Sequence, residues 1–186
     1  VKPFGSQAVF GHSRLITNGL SDNQPVIRKG VCLVHNGIVT NVKKAWTEIK
    51  LKPNLQIDSE IIAAIADLHI SEGGDLSELP ERVFSITKGI IACALLVPSL
   101  GKILLFSNNG SLYNGQHGTD IFFASESYPL SKIGCKQIKQ IKENIEIIEI
   151  PHSENQFLIK DFNERTENLI PELLNNNSQE KMLIYN

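Results

Sequence analysis

Three short clusters hold the residue types that do chemistry. The first, Gly11-His12-Ser13-Arg14-Leu15-Ile16-Thr17-Asn18-Gly19, places one arginine on a short strand that runs into a turn carrying Thr17 and Asn18. A guanidinium is a planar fork that grips a carboxylate through two parallel N–H donors, which a lysine ammonium does not reproduce. The plainer reading of the same arginine is half of an ordinary surface ion pair. The second cluster is His35-Asn36-Gly37. Asn-Gly is a strong signal for a tight hairpin turn, because both residues accept positive φ. An Asn36 amide and a Gly37 backbone N–H aimed the same way would also stabilise a developing oxyanion, and the two roles are compatible. The third is Asp58 within Gln56-Ile57-Asp58-Ser59-Glu60-Ile61-Ile62. As a helix N-cap it would contribute about 1 kcal/mol; as a carboxylate at the mouth of a cleft it would bind an ammonium group.

The elements that must position these clusters follow from the apolar periodicity. Residues 8–10 and 15–16 read as short strands, 18–25 as a turn-rich stretch, and 31–34 as a compact apolar strand. Asn36-Gly37 then separates that strand from the apolar Ile38-Val39, as a turn between strand ends. From Asn41 the period changes: Val42, Ala45, Trp46 and Ile49 share a helical face that Lys52-Pro53-Asn54 terminates. A second helix starts at Asp58, has Ile61, Ile62, Ala64, Ile65 and Leu68 as a wide apolar face, and stops at Gly73-Gly74. A third covers 76–86, with Pro80 early in it or breaking it. Residues 89–97 form a nearly continuous run of small and β-branched residues, suited to a strand buried on both faces, and 102–106 return antiparallel to it. Short strands follow at 112–113, 121–124, 145–150 and 157–159. Strands, then two or three helices, then many strands favour helices packed on antiparallel sheets over the regular alternation of a doubly wound parallel fold.

The composition removes several classes of function. In 186 residues, 41% hydrophobic and 20% charged with net charge −2, the chain is neither a disordered polyelectrolyte nor a membrane protein. Lys and Arg are dispersed rather than interleaved with aromatics, so nucleic acid is not the expected partner. Cys32, Cys93 and Cys135 are odd in number and far apart, which reads as free buried thiols in a reducing cytoplasm. No Cys and His cluster has zinc-ligand spacing and no Gly-rich loop cradles phosphate, so neither metal nor cofactor is expected. Residues 1–160 read as one domain and 161–186 as a polar tail or linker through Asn175-Asn176-Asn177-Ser178-Gln179-Glu180-Lys181. The apolar run 182–185 is either a terminal strand docking back or the approach to a further domain.

Taken in order, the three clusters resemble the class II glutamine amidotransferases, an N-terminal-nucleophile hydrolase family. The likeness is to the glutaminase domains of glucosamine-6-phosphate synthase and asparagine synthetase. It runs through Val34-His35-Asn36-Gly37-Ile38-Val39 and Asp58-Ser59-Glu60-Ile61-Ile62 to Phe123-Ala124-Ser125-Glu126, the last being closest to asparagine synthetase, and covers about residues 10–159. The resemblance implies an α+β fold, a four-layer sandwich of two antiparallel β-sheets between helical layers. It also implies that Arg14 binds the α-carboxylate of glutamine, Asp58 its α-ammonium, and Thr17 the same pocket, while Asn36 and Gly37 form the oxyanion hole. Ammonia would pass to a synthase domain or subunit. Two departures, Asn18 and Gln24-Pro25, stand where the sugar-phosphate enzymes have His and His-Pro, so the acceptor does not transfer from them. The family's nucleophile is a Cys at the mature N-terminus, whereas residue 1 here is Val. The expectation is therefore a domain incomplete at its N-terminus and inactive by itself, its Cys upstream. The alternative is a catalytically inactive relative that binds a ligand or a protein.

Overall fold

The structure, a computed structural model, describes residues 8–12 and 23–150. In chain order the elements are β1 (Val26–Arg28), β2 (Val31–Val39), α1 (Val42–Ile49), α2 (Glu60–Ser71), a 3-10 turn (Leu76–Glu78) and α3 (Leu79–Ile86). Next come β3 (Gly89–Val97), a second 3-10 turn (Pro98–Leu100), β4 (Lys102–Ser107), β5 (Tyr113–His117), β6 (Asp120–Ala124), α4 (Ser127–Lys132), β7 (Lys136–Gln140) and β8 (Glu146–Glu149). Among the described residues the strands β1–β8 pair antiparallel throughout, giving one sheet in the order β1-β2-β3-β4-β8 and another in the order β6-β5-β7.

The alternation of side chains along β2, β3 and β4 divides the core in two. Val31, Leu33, Ile91, Cys93, Leu95, Val97, Leu104 and Phe106 face α1, α2 and α3. Cys32, Val34, Ala92, Ala94, Leu96, Ile103 and Leu105 face the other way, onto Phe10, Leu112 and Ile141. On the far side α4 packs against β5, β6 and β7. The layers therefore run helix, sheet, sheet, helix, as the sequence implied. Helix α2 is buried from Glu60 through Ala66 because it lies between the sheet and its neighbouring helices, so every face of its first two turns is covered. Phe10, 3% exposed, meets Phe123 edge to face at 5.2 Å and so anchors residues 8–12 between the two sheets.

Two expectations are corrected. Asn36-Gly37 is no turn: β2 runs straight through it, with Asn36 opposite Ala92 and Gly37 opposite Ile91. The glycine is needed for another reason. Its φ is +151°, and a β-carbon there would lie 2.0 Å from the Ile90 carbonyl oxygen. Gly89 mirrors it across the ladder, with a β-carbon 2.0 Å from the Ile38 carbonyl oxygen, so the pair lets β2 and β3 press together at this end. Asp58 does not cap α2, whose N-cap position is Ser59, without a side-chain capping bond. The 76–86 segment is helical as expected, a 3-10 turn over Leu76–Glu78 running into α3, and Pro80 stands early in it, in the first turn of α3, where its missing N–H costs nothing. Helix α4 and strand β7, short and mostly polar, were not anticipated. Among the described residues at 8–12 there is only an isolated bridge at Gly11. The strands expected at 15–16 and 157–159, and the 161–186 tail, lie outside the described residues.

Candidate active site

The site is built on the free side of β2. Strand β1 pairs with β2 only as far as Val26 opposite Leu33. Beyond it the Gln24 side chain takes over the pairing: its Nε2 donates to the His35 carbonyl at 2.9 Å, and the His35 N–H donates to Gln24 Oε1 at 2.6 Å. Two residues past Gly37 on the same edge, the Val39 N–H donates to Asp58 Oδ2 at 2.7 Å. Backbone donors of alternate residues leave an antiparallel strand on the same side. The Gly37 N–H therefore points along the edge where His35 is held by Gln24 and Val39 by Asp58. Gly37 and Val39 are about 7 Å apart at the strand rise, which sets the Asp58 carboxylate close to the Asn36-Gly37 pair. Asn36 is exposed, on the face that looks toward the second sheet.

Asp58 owes its position to its neighbour. Glu60, 1% exposed, accepts from the Asn54 N–H at 3.0 Å and the Leu55 N–H at 2.8 Å and pairs with the Arg28 guanidinium. Arg28 also donates to the Lys52 carbonyl at 3.3 Å and lies over the Trp46 ring. The loop before α2, the end of β1 and α1 are thus fastened to one carboxylate two residues after Asp58. Asp58 has one oxygen engaged by Val39 and is half-buried, which leaves acceptor capacity for an ammonium group.

Nothing about the three cysteines suits a nucleophile. All are free and buried, as expected. Burial pushes the Cys32 thiol up to about 12, and pushes Cys93 well above its ordinary value, with the negative charge of Asp58 adding to it. A thiol attacks as the thiolate, so both are inert. A polar cavity of about 370 Å³ opens between the β4–β5 turn and the start of α4, lined by Asn109, Tyr113, Glu126 and Gln140 among others; Asn36, Gly37 and Asp58 do not line it. Geometry, not cavity size, marks the β2 edge as the site.

Of the residues expected to act, Asn36 and Gly37 adjoin on β2, and Asp58 is tied to the same strand through the Val39 N–H. Arg14 and Thr17 lie outside the described residues. His12, at the head of the arginine cluster, is near enough to His35 to disfavour its protonation. A scan against family descriptions matches residues 12–132 to a glutamine amidotransferase domain. The chain belongs to that family. Among curated relatives, the glutamine–fructose-6-phosphate aminotransferase of Helicobacter pylori is 30% identical over 123 residues, covering 62% of this chain and 21% of the relative. The Chlamydia trachomatis protein of the same name is 29% identical over 142 residues, covering 71% of this chain and 23% of its own length. This glutamine amidotransferase domain thus spans about a fifth of those relatives. Among solved structures it resembles glutamine phosphoribosylpyrophosphate amidotransferase from B. subtilis, complexed with ADP and GMP. That match has a TM-score of 0.56 at 19% identity over 78% of this chain and 35% of that one, a likeness of fold. A second solved structure, described as the allosteric regulatory enzyme of purine biosynthesis, matches in fold with a TM-score of 0.52 at 17% identity over 75% of this chain and 33% of that one.

Residue-type reasoning missed three members of the site: Gln24, Ser59 and the His35 ring. His35 and Ser59 adjoin Asn36 and Asp58 in the sequence, and Gln24 enters it only as a departure from the related enzymes; the sequence assigns a role to none of them. Gln24 carries a structural load, bracing the His35 backbone.

Gly37 supplies a test of the close approach. Gly37→Ala forces a β-carbon into the Ile90 peptide at a φ that side chains rarely adopt. The backbone conformation alone should cost about 1–3 kcal/mol. Urea denaturation of the full-length protein should show a midpoint lowered accordingly; an unchanged midpoint would mean that β2 and β3 are not pressed together here.

Proposed function

We propose that this domain hydrolyses the side-chain amide of glutamine and passes the ammonia to a synthase domain or subunit of the same enzyme. The observation that supports it is β2 itself, which carries Asn36 and Gly37 and, two residues on, holds the Asp58 carboxylate through the Val39 N–H. Glutamine has a carbonyl that becomes an oxyanion on attack and, a short chain away, an ammonium. Asn36 and Gly37 answer the first; Asp58 answers the second. Arg14 takes the α-carboxylate through its fork, with Thr17 beside it. The attacking thiol is none of Cys32, Cys93 and Cys135; in this reading it is an N-terminal Cys activated by its own α-amino group. No metal or cofactor enters the chemistry assigned to this domain. In style the domain is nearer to asparagine synthetase, on Asn18, Gln24-Pro25 and Phe123-Ala124-Ser125-Glu126, and the free thiols favour a reducing, cytoplasmic setting.

The test is ammonia release from glutamine by the full-length protein, with an electrophilic glutamine analogue to mark the nucleophile by mass spectrometry. Hydrolysis is expected, with no label on Cys32, Cys93 or Cys135. Asp58→Asn keeps an oxygen for the Val39 N–H and removes the charge. It should raise KM for glutamine by about tenfold or more, the scale of a lost charged hydrogen bond, and leave kcat nearly unchanged. If the full-length protein releases no ammonia, calorimetry with glutamine separates a domain that only binds the ligand from one that serves protein interaction.

A further inference from the structure

The His35 side chain is 2% exposed and points to the helical side of β2, away from the Asn36 amide. Its Nε2 stands 3.1 Å from the Ile90 carbonyl oxygen and its Nδ1 stands 3.0 Å from Ser59 Oγ. A carbonyl only accepts, so Nε2 carries the proton and Nδ1 accepts from the Ser59 hydroxyl. That hydroxyl has a single proton, which goes to His35 rather than to Asp58 Oδ1 at 3.5 Å. Burial lowers the imidazole pKa from 6.5, which favours the neutral ring; the Ile90 carbonyl and Asp58 act the other way, and His12 acts with burial. Cys93, opposite His35 on β3, is a neutral thiol.

The ring also touches the oxyanion residue. A β-carbon placed on Gly37 would lie 2.8 Å from His35 Nε2 as well as 2.0 Å from the Ile90 oxygen, so ring, carbonyl and Gly37 are in mutual contact. The His35 backbone is held by both ends of the Gln24 amide. The residue just before Asn36 is therefore fixed through its main chain and its side chain alike.

We propose that His35 is a positioning residue of the oxyanion site: strapped between Ser59 and the Ile90 carbonyl, its imidazole sets the direction in which Asn36 and Gly37 present their donors. Ser59 directly follows Asp58 in the chain, so the same ring also ties the backbone beside Asp58 to β2, and the two ends of glutamine are registered by one ring. The proposal rests on the glutaminase reading and adds to it a residue that touches no substrate.

The experiment measures kcat and KM for glutamine hydrolysis by the full-length protein in three forms: wild type, His35→Gln and His35→Asn. Glutamine can reach the Ile90 carbonyl with an N–H, whereas asparagine, shorter, keeps only an acceptor for Ser59. His35→Asn is expected to lower kcat by about 10²-fold, the scale for a displacement of about 1 Å in catalytic groups, with KM within about threefold of wild type. His35→Gln is expected to recover at least about tenfold of that loss. Loss of kcat and rise of KM in parallel, or no recovery by glutamine, would mean a merely structural histidine and overturn the proposal. If His35→Asn does not fold, Ser59→Ala decides: kcat about tenfold lower at unchanged KM supports the strap, and wild-type kcat overturns it. A wild-type protein that releases no ammonia defeats the glutaminase reading itself, and the proposal with it.

Discussion

Asn36→Ala in the full-length protein is expected to lower kcat for glutamine hydrolysis by about 10²- to 10³-fold, equal to about 2.7–4 kcal/mol of lost transition-state stabilisation. The reason lies in timing. The ground-state amide carbonyl is satisfied by modest hydrogen bonds, whereas the tetrahedral intermediate puts a full negative charge on that oxygen. A donor already aimed at it acts mostly in the transition state, so KM should change little. Because Asn36 is exposed and lies at the open end of the strand, the folded state should be as stable as before. A variant whose KM rises while kcat holds would assign Asn36 to ground-state binding. One that keeps both constants would remove it from the site.

The largest effect on stability is expected at Glu60. Its carboxylate is buried with the Arg28 guanidinium and accepts from two backbone N–H groups of the preceding loop. Glu60→Ala removes the acceptor and leaves the cation and both N–H groups enclosed without it. Breaking a buried pair from one side costs about 3–5 kcal/mol, because the stranded charge retains its desolvation penalty. Chemical denaturation should show that loss. Glutamine binding should weaken too, since the same carboxylate holds the loop that carries Asp58. A loss below about 1 kcal/mol, the scale of an exposed pair, would show that Arg28 finds water or another partner.

Much of the frame was legible in the chain itself. Residues 89–97 are mostly small and β-branched, broken only by Leu95 and Leu96, and they form β3 over those same residues, buried from Ile91 onward. Val42, Ala45, Trp46 and Ile49 repeat at helical spacing, and α1 presents them to the core. Both patterns are local, so periodicity suffices to read them. Helix α4 and strand β7 escaped because their residues are mostly polar and exposed, and partners elsewhere in the second sheet hold them.

The site divides in the same way. Sequence alone selected Asn36, Gly37 and Asp58, since an amide next to a glycine and an acid at a helix start are chemical types visible without coordinates. It misassigned what their local signals meant. Asn-Gly reads as a turn because that dipeptide tolerates positive φ, yet here the glycine makes room for the Ile90 peptide of a strand 53 positions away. Asp58 reads as a helix cap because the apolar helical pattern of α2 begins just after it, yet its carboxylate serves the Val39 N–H of another element. Gln24 stands in for a missing length of β1, and the His35 ring bridges Ser59 to Ile90. Residue type and spacing determine which groups are available and which elements form. Which donors are left facing one edge of β2 depends on pairings between residues far apart in the chain, and only the packed tertiary structure decides those.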